Sequence, residues 1–182
     1  MGRKGGKRGS KWRDASRELS LNFEFVAAGN SEDPRTPDLE YGGRLFQRYA
    51  IDRDGNCLFR AVSFAAGGNQ SGHADLRREV VNDIVGNWDQ HSIAVCAVHG
   101  VSTKDAYRKL MSRPGAFASE IEALVGCKIH GIGLRLFRQC GGKLRLCLEH
   151  EPNEGCVMAD LVFSGGESAG VSNGHFDVLL RR

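Results

Sequence analysis

The sequence predicts an α/β fold of the α+β kind, with helices first and strands after them. Three observations carry this. Apolar residues recur at helical spacing after residue 57 (Leu58, Ala61, Val62, Ala65) and again from residue 76 (Leu76, Val80, Ile84, Val85), the pattern of helices with one buried face. Leu144, Leu146 and Leu148 alternate with Arg145, Cys147 and Glu149 directly after Gly141-Gly142, the pattern of a half-buried strand entered from a hairpin turn. Phe176, Val178 and Leu180 alternate with His175, Asp177 and Leu179 near the C-terminal end, a second strand signal.

Taken in order, residues 1–13 are Gly-rich and carry six Lys or Arg (Arg3, Lys4, Lys7, Arg8, Lys11, Arg13) with no acidic residue. They read as a disordered tail, either an electrostatic arm for nucleic acid or an acidic partner, or simply a solvated end. Residues 14–44 read as an N-terminal extension, with alternation that favours a strand from about Leu19 and a polar loop over 30–36 closed by Pro34 and Pro37. Residues 45–182 read as the main domain. A run over 45–54 leads into a turn at Gly55-Asn56, and the helix that follows ends at Gly67-Gly68. The loop 70–73 offers Ser71 or His73 as a cap for the amphipathic helix beyond it, whose polar side takes Arg77, Arg78, Glu79 and Asp83. His73 reads as a capping or surface residue. Residues 87–101 show no clean period. Ser102 or Thr103 caps a short helix through Tyr107 and Met111, and Pro114-Gly115 closes it. Residues 118–125 form another helix with Ile121, Leu124 and Val125 inward. Strands then follow around Leu134, Leu136 and Phe137, over 144–148, and over 157–163. The Gly- and Ser-rich loop 164–174 precedes His175 and is expected to border the site and to move with substrate.

The chemistry is concentrated at Asp54-Gly55-Asn56-Cys57. Gly55 and Asn56 accept unusual backbone angles, so Cys57 begins a helix just after a tight turn. Unpaired amides and the positive end of a helix favour a thiolate there, and the same amides can hold a developing oxyanion. A cysteine nucleophile needs a base. His175 and Asp177 share one strand face, where the carboxylate can orient the imidazole and stabilise its cation. Cys57, His175 and Asp177 form a candidate triad if the fold joins the two ends of the chain. Asp54 has two available roles, holding the turn or supporting the oxyanion side through neighbouring amides.

Asp54-Gly55-Asn56-Cys57-Leu58-Phe59-Arg60-Ala61 resembles the nucleophile motif of the ovarian-tumour (OTU) family of cysteine proteases, and His175-Phe176-Asp177-Val178 resembles its histidine motif. The resemblance covers residues 45–182. It implies a papain-like OTU fold, with a small, mostly antiparallel sheet between helical layers. It implies a deubiquitinase that hydrolyses the isopeptide or peptide bond after the ubiquitin C-terminal glycine. By the same resemblance Cys57 is the nucleophile, His175 the base and Asp177 its orienting group, with Asp54, Gly55, Asn56 and Cys57 shaping the oxyanion hole. Phe117, Gly174 and Phe176 are the expected substrate-binding residues. Many relatives carry Trp-Gly where this chain has Phe117-Ala118, which weakens any transfer of linkage preference.

Other classes are weighed by the same residues. Without the tail, 19 basic residues face 22 acidic ones, so the body offers no general nucleic-acid surface. No run is long enough to span a membrane, no apolar leader precedes the chain, and Gly6 stands where a myristoylation signal wants Ser or Thr; a cytoplasmic or nuclear location is expected, with no membrane partner. The six cysteines are scattered and read as free thiols. Cys127 with His130 and Cys147 with His150 have zinc-like spacing, but both pairs are expected in or after strands, where such spacing points opposite ways. No metal or cofactor is expected. The alternatives to a deubiquitinase are a catalytically silent ubiquitin-binding module, a viral-type OTU protease acting on ubiquitin-like modifiers or a polyprotein, and a nucleic-acid-associated protein led by its tail.

Overall fold

A computed structural model describes residues 37–165 and 174–182. The basic tail 1–13, the strand expected from Leu19, the loop 30–36 and most of the loop 164–174 lie outside the described residues.

Two short strands open the described chain, β1 (Leu39–Tyr41) and β2 (Arg44–Tyr49). Five helices follow: α1 (Cys57–Gly67), α2 (His73–Gly86), α3 (Trp88–His99), α4 (Lys104–Met111) and α5 (Glu120–His130). Four strands complete it: β3 (Gly133–Cys140), β4 (Lys143–His150), β5 (Met158–Ser164) and β6 (His175–Arg181).

The helices follow from local chemistry. α1 buries Leu58, Phe59, Ala61, Val62 and Phe64 and ends on Gly68, whose φ of 74° places it in the left-handed region favoured at helix C-termini. α4 is capped by Thr103, whose hydroxyl accepts from the Ala106 amide. α5 begins with a reciprocal capping box between Ser119 and Glu122. It runs on to His130 rather than stopping at Val125, so Cys127 and His130 lie in its last turn and not beside a strand. Its buried residues include Glu122, Ala123 and Cys127, while Ile121 and Leu124 are only partly covered. The stretch without a clean period is helix α3; Val95 alone is fully buried in it, and Ile93 is 86% exposed. Neither Ser71 nor His73 caps α2: Gly72 holds the cap position without a side-chain bond, and the His73 ring donates from Nδ1 to the Gln70 carbonyl at 3.0 Å.

The sheet departs from the expected form. Its strands, in the order β1-β2-β6-β5-β3-β4, close into a barrel. Four pairings are antiparallel, while β3 with β5 and β1 with β4 are parallel. The sheet is therefore mostly antiparallel, but it is not a layer between helices. Phe176, Val178, Leu161 and Leu134 face the core shared with the helices. Leu179, Val162, Phe137, Leu144, Phe46 and Leu39 turn the other way and form a second core inside the barrel. A sheet that curls on itself buries its second face without a second helical layer. β1 also lies in the stretch read as an extension. Leu39 is only 2% exposed, in the inner core, so the folded domain begins before residue 45.

Candidate active site

The turn before α1 is built by its own side chains. Asp54 accepts from the Asn56 amide through Oδ1 at 2.9 Å, and from the Asn56 side-chain amide through Oδ2 at 3.0 Å. Arg60, one turn into α1, donates to the same Oδ2 from Nε at 3.1 Å and Nη2 at 2.7 Å. The Arg60 guanidinium and these amides hold the Asp54 carboxyl well below the usual carboxylate range. The bonds of Asp54 are thus those of a turn-holding residue, and the Asn56 amide is committed to it. The backbone amides left to face an anion are those of Gly55 and Cys57 and, in the first turn of α1, that of Leu58, which faces the Cys57 sulfur. Gly55 is at φ +80°, and a Cβ there would lie 2.6 Å from the Gly115 Cα; only glycine lets the turn press against the 114–116 loop.

β6 brings the other half. It runs between β2 and β5, and its Phe176–Val178–Leu180 face packs toward the helices. His175 and Asp177 share the opposite face, both nearly buried. Nε2 of His175 is 2.9 Å from Asp177 Oδ1. The same oxygen accepts from the Ile51 amide at 3.0 Å, and Arg48 lies 3.7 Å from Oδ2. Arg48 also donates to Gln139. A carboxylate held this way accepts the N–H of Nε2 and fixes the ring orientation, leaving Nδ1 as the nitrogen free of Asp177.

Cys57, 6% exposed, meets β6 at Phe176, the residue between His175 and Asp177. Burial pushes the Cys57 thiol up; the Phe176 and Leu58 amides facing the sulfur oppose this, and the Asp177 charge adds to the rise. Among the described residues no hydrogen bond joins Sγ to the His175 ring. The fold therefore places Cys57, His175 and Asp177 in one neighbourhood.

Phe117 and Phe176 stack with ring centroids 6.5 Å apart, and Phe163 tilts against Phe176 at 5.0 Å. With Leu136 and Leu148 these rings line a cleft of about 310 Å³. Gly174 closes its edge: a Cβ there would lie 2.3 Å from the Phe163 ring and 3.3 Å from Phe117. The three residues expected to bind substrate therefore cluster.

Among the described residues, no group of three or more His, Cys, Asp or Glu is placed to hold a metal. Cys127 is fully buried, its thiol pushed up to about 12. All six cysteines are free thiols, and no described helix is long and apolar enough to cross a membrane.

Three arginines escaped the sequence reading as site residues. Arg60 lies inside the nucleophile motif, and Arg48 carries no signal beyond a position on the approach to it. Arg77 had one: it falls three, four and seven residues before Val80, Val81 and Ile84, on the apolar stripe of α2. It is buried, not on the polar face where its charge had placed it.

No family model matches the chain, and no curated protein does. Solved structures do. The OTU domain of OTUD1 is 24% identical, covers 74% of this chain and 85% of its own, and superposes with a TM-score of 0.60. The viral OTU domain protease of Dera Ghazi Khan virus is 21% identical over 75% of this chain and 81% of its own, with a TM-score of 0.60. An OTU deubiquitinase of Wolbachia pipientis wMel, solved bound to ubiquitin, is 17% identical over 75% of this chain and 96% of its own, with a TM-score of 0.51. The fold and the site define a mixed α/β protein with a cysteine at a helix start. More narrowly, the chain has the fold of an OTU domain.

Proposed function

We propose that this chain is a cysteine deubiquitinase of the OTU family, cleaving the bond after the ubiquitin C-terminal glycine. The observation that carries the reading is the His175–Asp177 pair at 2.9 Å, on a strand whose Phe176 amide faces a cysteine at the start of a helix, within an OTU-domain fold. Nδ1 of His175 takes the Cys57 proton as Sγ attacks the scissile carbonyl. A C–S bond forms, and the oxygen takes the charge among the Cys57 and Gly55 amides. The C–N bond then breaks, and the imidazolium gives its proton to the leaving lysine amine. Water, deprotonated by His175, hydrolyses the thioester and restores the thiol. The aromatic cleft at Phe117, Phe163 and Phe176, closed by Gly174, favours a tail ending in glycine, which needs no room for side chains. Two of the solved relatives are in complex with ubiquitin, which makes ubiquitin the first substrate to try. The sequence reading of a cytoplasmic or nuclear location, and of the basic tail as an arm for nucleic acid or an acidic partner, stands beside this as part of the proposal.

The test is a ubiquitin carrying a C-terminal thiol-reactive warhead. An adduct that vanishes in Cys57→Ala and weakens strongly in His175→Ala is expected. A folded parent that forms none with ubiquitin, but does with a ubiquitin-like modifier, would move the substrate. No adduct with either would leave a module that binds without cutting.

A further inference from the structure

We propose that Arg77 is a positioning residue for the anion-holding end of the site: it keeps the Asn56 side chain off the first turn of α1 and so leaves that turn's amides to the anion at Cys57. This rests on the cysteine-protease reading above.

Asn56 occupies the N-cap of α1, and asparagine is among the best capping residues, accepting from the second or third amide of the helix. Here its side chain makes no capping bond. Its Oδ1 instead accepts from Arg77 Nη2 at 2.8 Å and from the Gly115 amide at 3.4 Å, while its Nδ2 is held by Asp54. The Leu58 amide, second in α1 and a natural target for the Asn56 oxygen, faces the Cys57 sulfur instead. The cap has been diverted, and an anion site left in its place.

Arg77 is built to do the diverting. It is 7% exposed, and among the described residues it makes no salt bridge. Its guanidinium donates to the Ala116 carbonyl at 3.0 Å, the Met111 carbonyl at 3.3 Å and the Gly55 carbonyl at 3.4 Å, and lies 4.4 Å above the Phe59 ring. A permanently charged group buried on carbonyls is held by geometry rather than by a counter-ion. It ties the nucleophile turn to the 111–116 loop that delivers Phe117 to the cleft. Asp54, Cys57, Tyr107 of α4 and Glu122 of α5 are the ionisable groups that act on Arg77; Asp177 of β6 acts on Cys57, with His175 paired to it. A lysine at position 77 would keep the charge but lose the planar fork that spans several acceptors. Asn56 would then be free to cap α1 and occupy the amides.

The full chain would be compared with Arg77→Lys, Asn56→Ala, the double variant, and Arg78→Ala as a control on the exposed side of α2. Alkylation of Cys57 by iodoacetamide is followed against pH by mass spectrometry of its peptide, beside turnover of a ubiquitin C-terminal fluorogenic amide. Arg77→Lys is expected to move the alkylation midpoint up by about one pH unit, and to lower kcat by on the order of tenfold or more with KM little changed. Removing the Asn56 side chain in that background should bring the midpoint back toward the parent, which a merely structural role would not do. A folded Arg77→Lys with the parent's midpoint, or a double variant with no recovery, would overturn the proposal. Arg77→Met, which keeps the apolar stem, replaces Arg77→Lys if the latter does not fold. Alkylation decides for or against Arg77 whether or not the parent turns over ubiquitin; absence of turnover in the parent counts against the deubiquitinase reading alone.

Discussion

Asp177 does three things at once. It accepts from His175 and from the Ile51 amide through one oxygen, and it faces Arg48 with the other. Asp177→Asn can keep the accepting oxygen toward Ile51 and His175. It removes the charge that stabilises the imidazolium during attack, and turns an amide donor toward the Arg48 guanidinium. Turnover of a fluorogenic ubiquitin amide is expected to fall on the order of a hundredfold or more, mainly in kcat, because the charge matters only once His175 is protonated. A loss confined to KM would argue that Asp177 acts on binding rather than on the imidazole. At this scale the motif residues were legible in the sequence: Cys57, His175 and Asp177 follow from a turn signal and a strand alternation. Arg77 was not, because a charged side chain is ordinarily assigned to the polar face of its helix, and its acceptors come from distant loops.

Helix α5 shows the same problem in an element. Its period predicts an apolar face, yet Glu122 is wholly buried there. Oε1 accepts from the Tyr107 hydroxyl at 2.8 Å and meets His99 at 2.9 Å; Oε2 accepts from the Ser119 amide and hydroxyl, each at 2.7 Å. Burial alone would raise this carboxyl, but the bonds to His99 and Ser119 outweigh it and hold it below its ordinary value. A carboxyl depressed on folding contributes stability that is present above its unfolded pKa of about 4.3 and is lost as pH falls through the lower folded value. Denaturant midpoints of the parent are therefore expected to drop as pH falls below about 5, and this slope should flatten in Glu122→Gln. The same change should cost about 3 kcal/mol at neutral pH, since it breaks one partner out of a buried charged network. Equal acid slopes in the two proteins would count against Glu122 as the titrating group. α3 is ambiguous by period because only Val95 is fully buried in it; its last residue, His99, ties it to α5.

In the whole molecule, closure of the barrel gives the sheet a second core, which meets the site where Val162 pairs with Asp177. The inner core of Leu39, Phe46, Phe137, Leu144, Val162 and Leu179 is distinct from the core beneath the nucleophile helix. Phe137 is fully buried and packs edge-on to Tyr41 at 5.0 Å. Phe137→Ala should cost about 3–5 kcal/mol of unfolding free energy, read by denaturant melts, while the rate of warhead labelling at low temperature stays within about threefold of the parent. A large fall in labelling with folding intact would show that the two cores are coupled.

What the sequence by itself determined is what depends on neighbours along the chain: the helices α1, α2 and α4, the hairpin of β3 and β4, the turn at Gly55 and the pairing of His175 with Asp177. Periodicity, capping and turn chemistry are local, so they can be read in one dimension. Tertiary structure alone decided the rest. It bent the sheet into a barrel through the contact of Glu40 with Lys143, drew β1 into the domain, brought Phe176 to Cys57, and buried Arg77 and Glu122 where their charge argued for the surface. Each of these depends on partners far apart in the chain, and a buried charge is stable only where the fold supplies the hydrogen bonds that water would otherwise make.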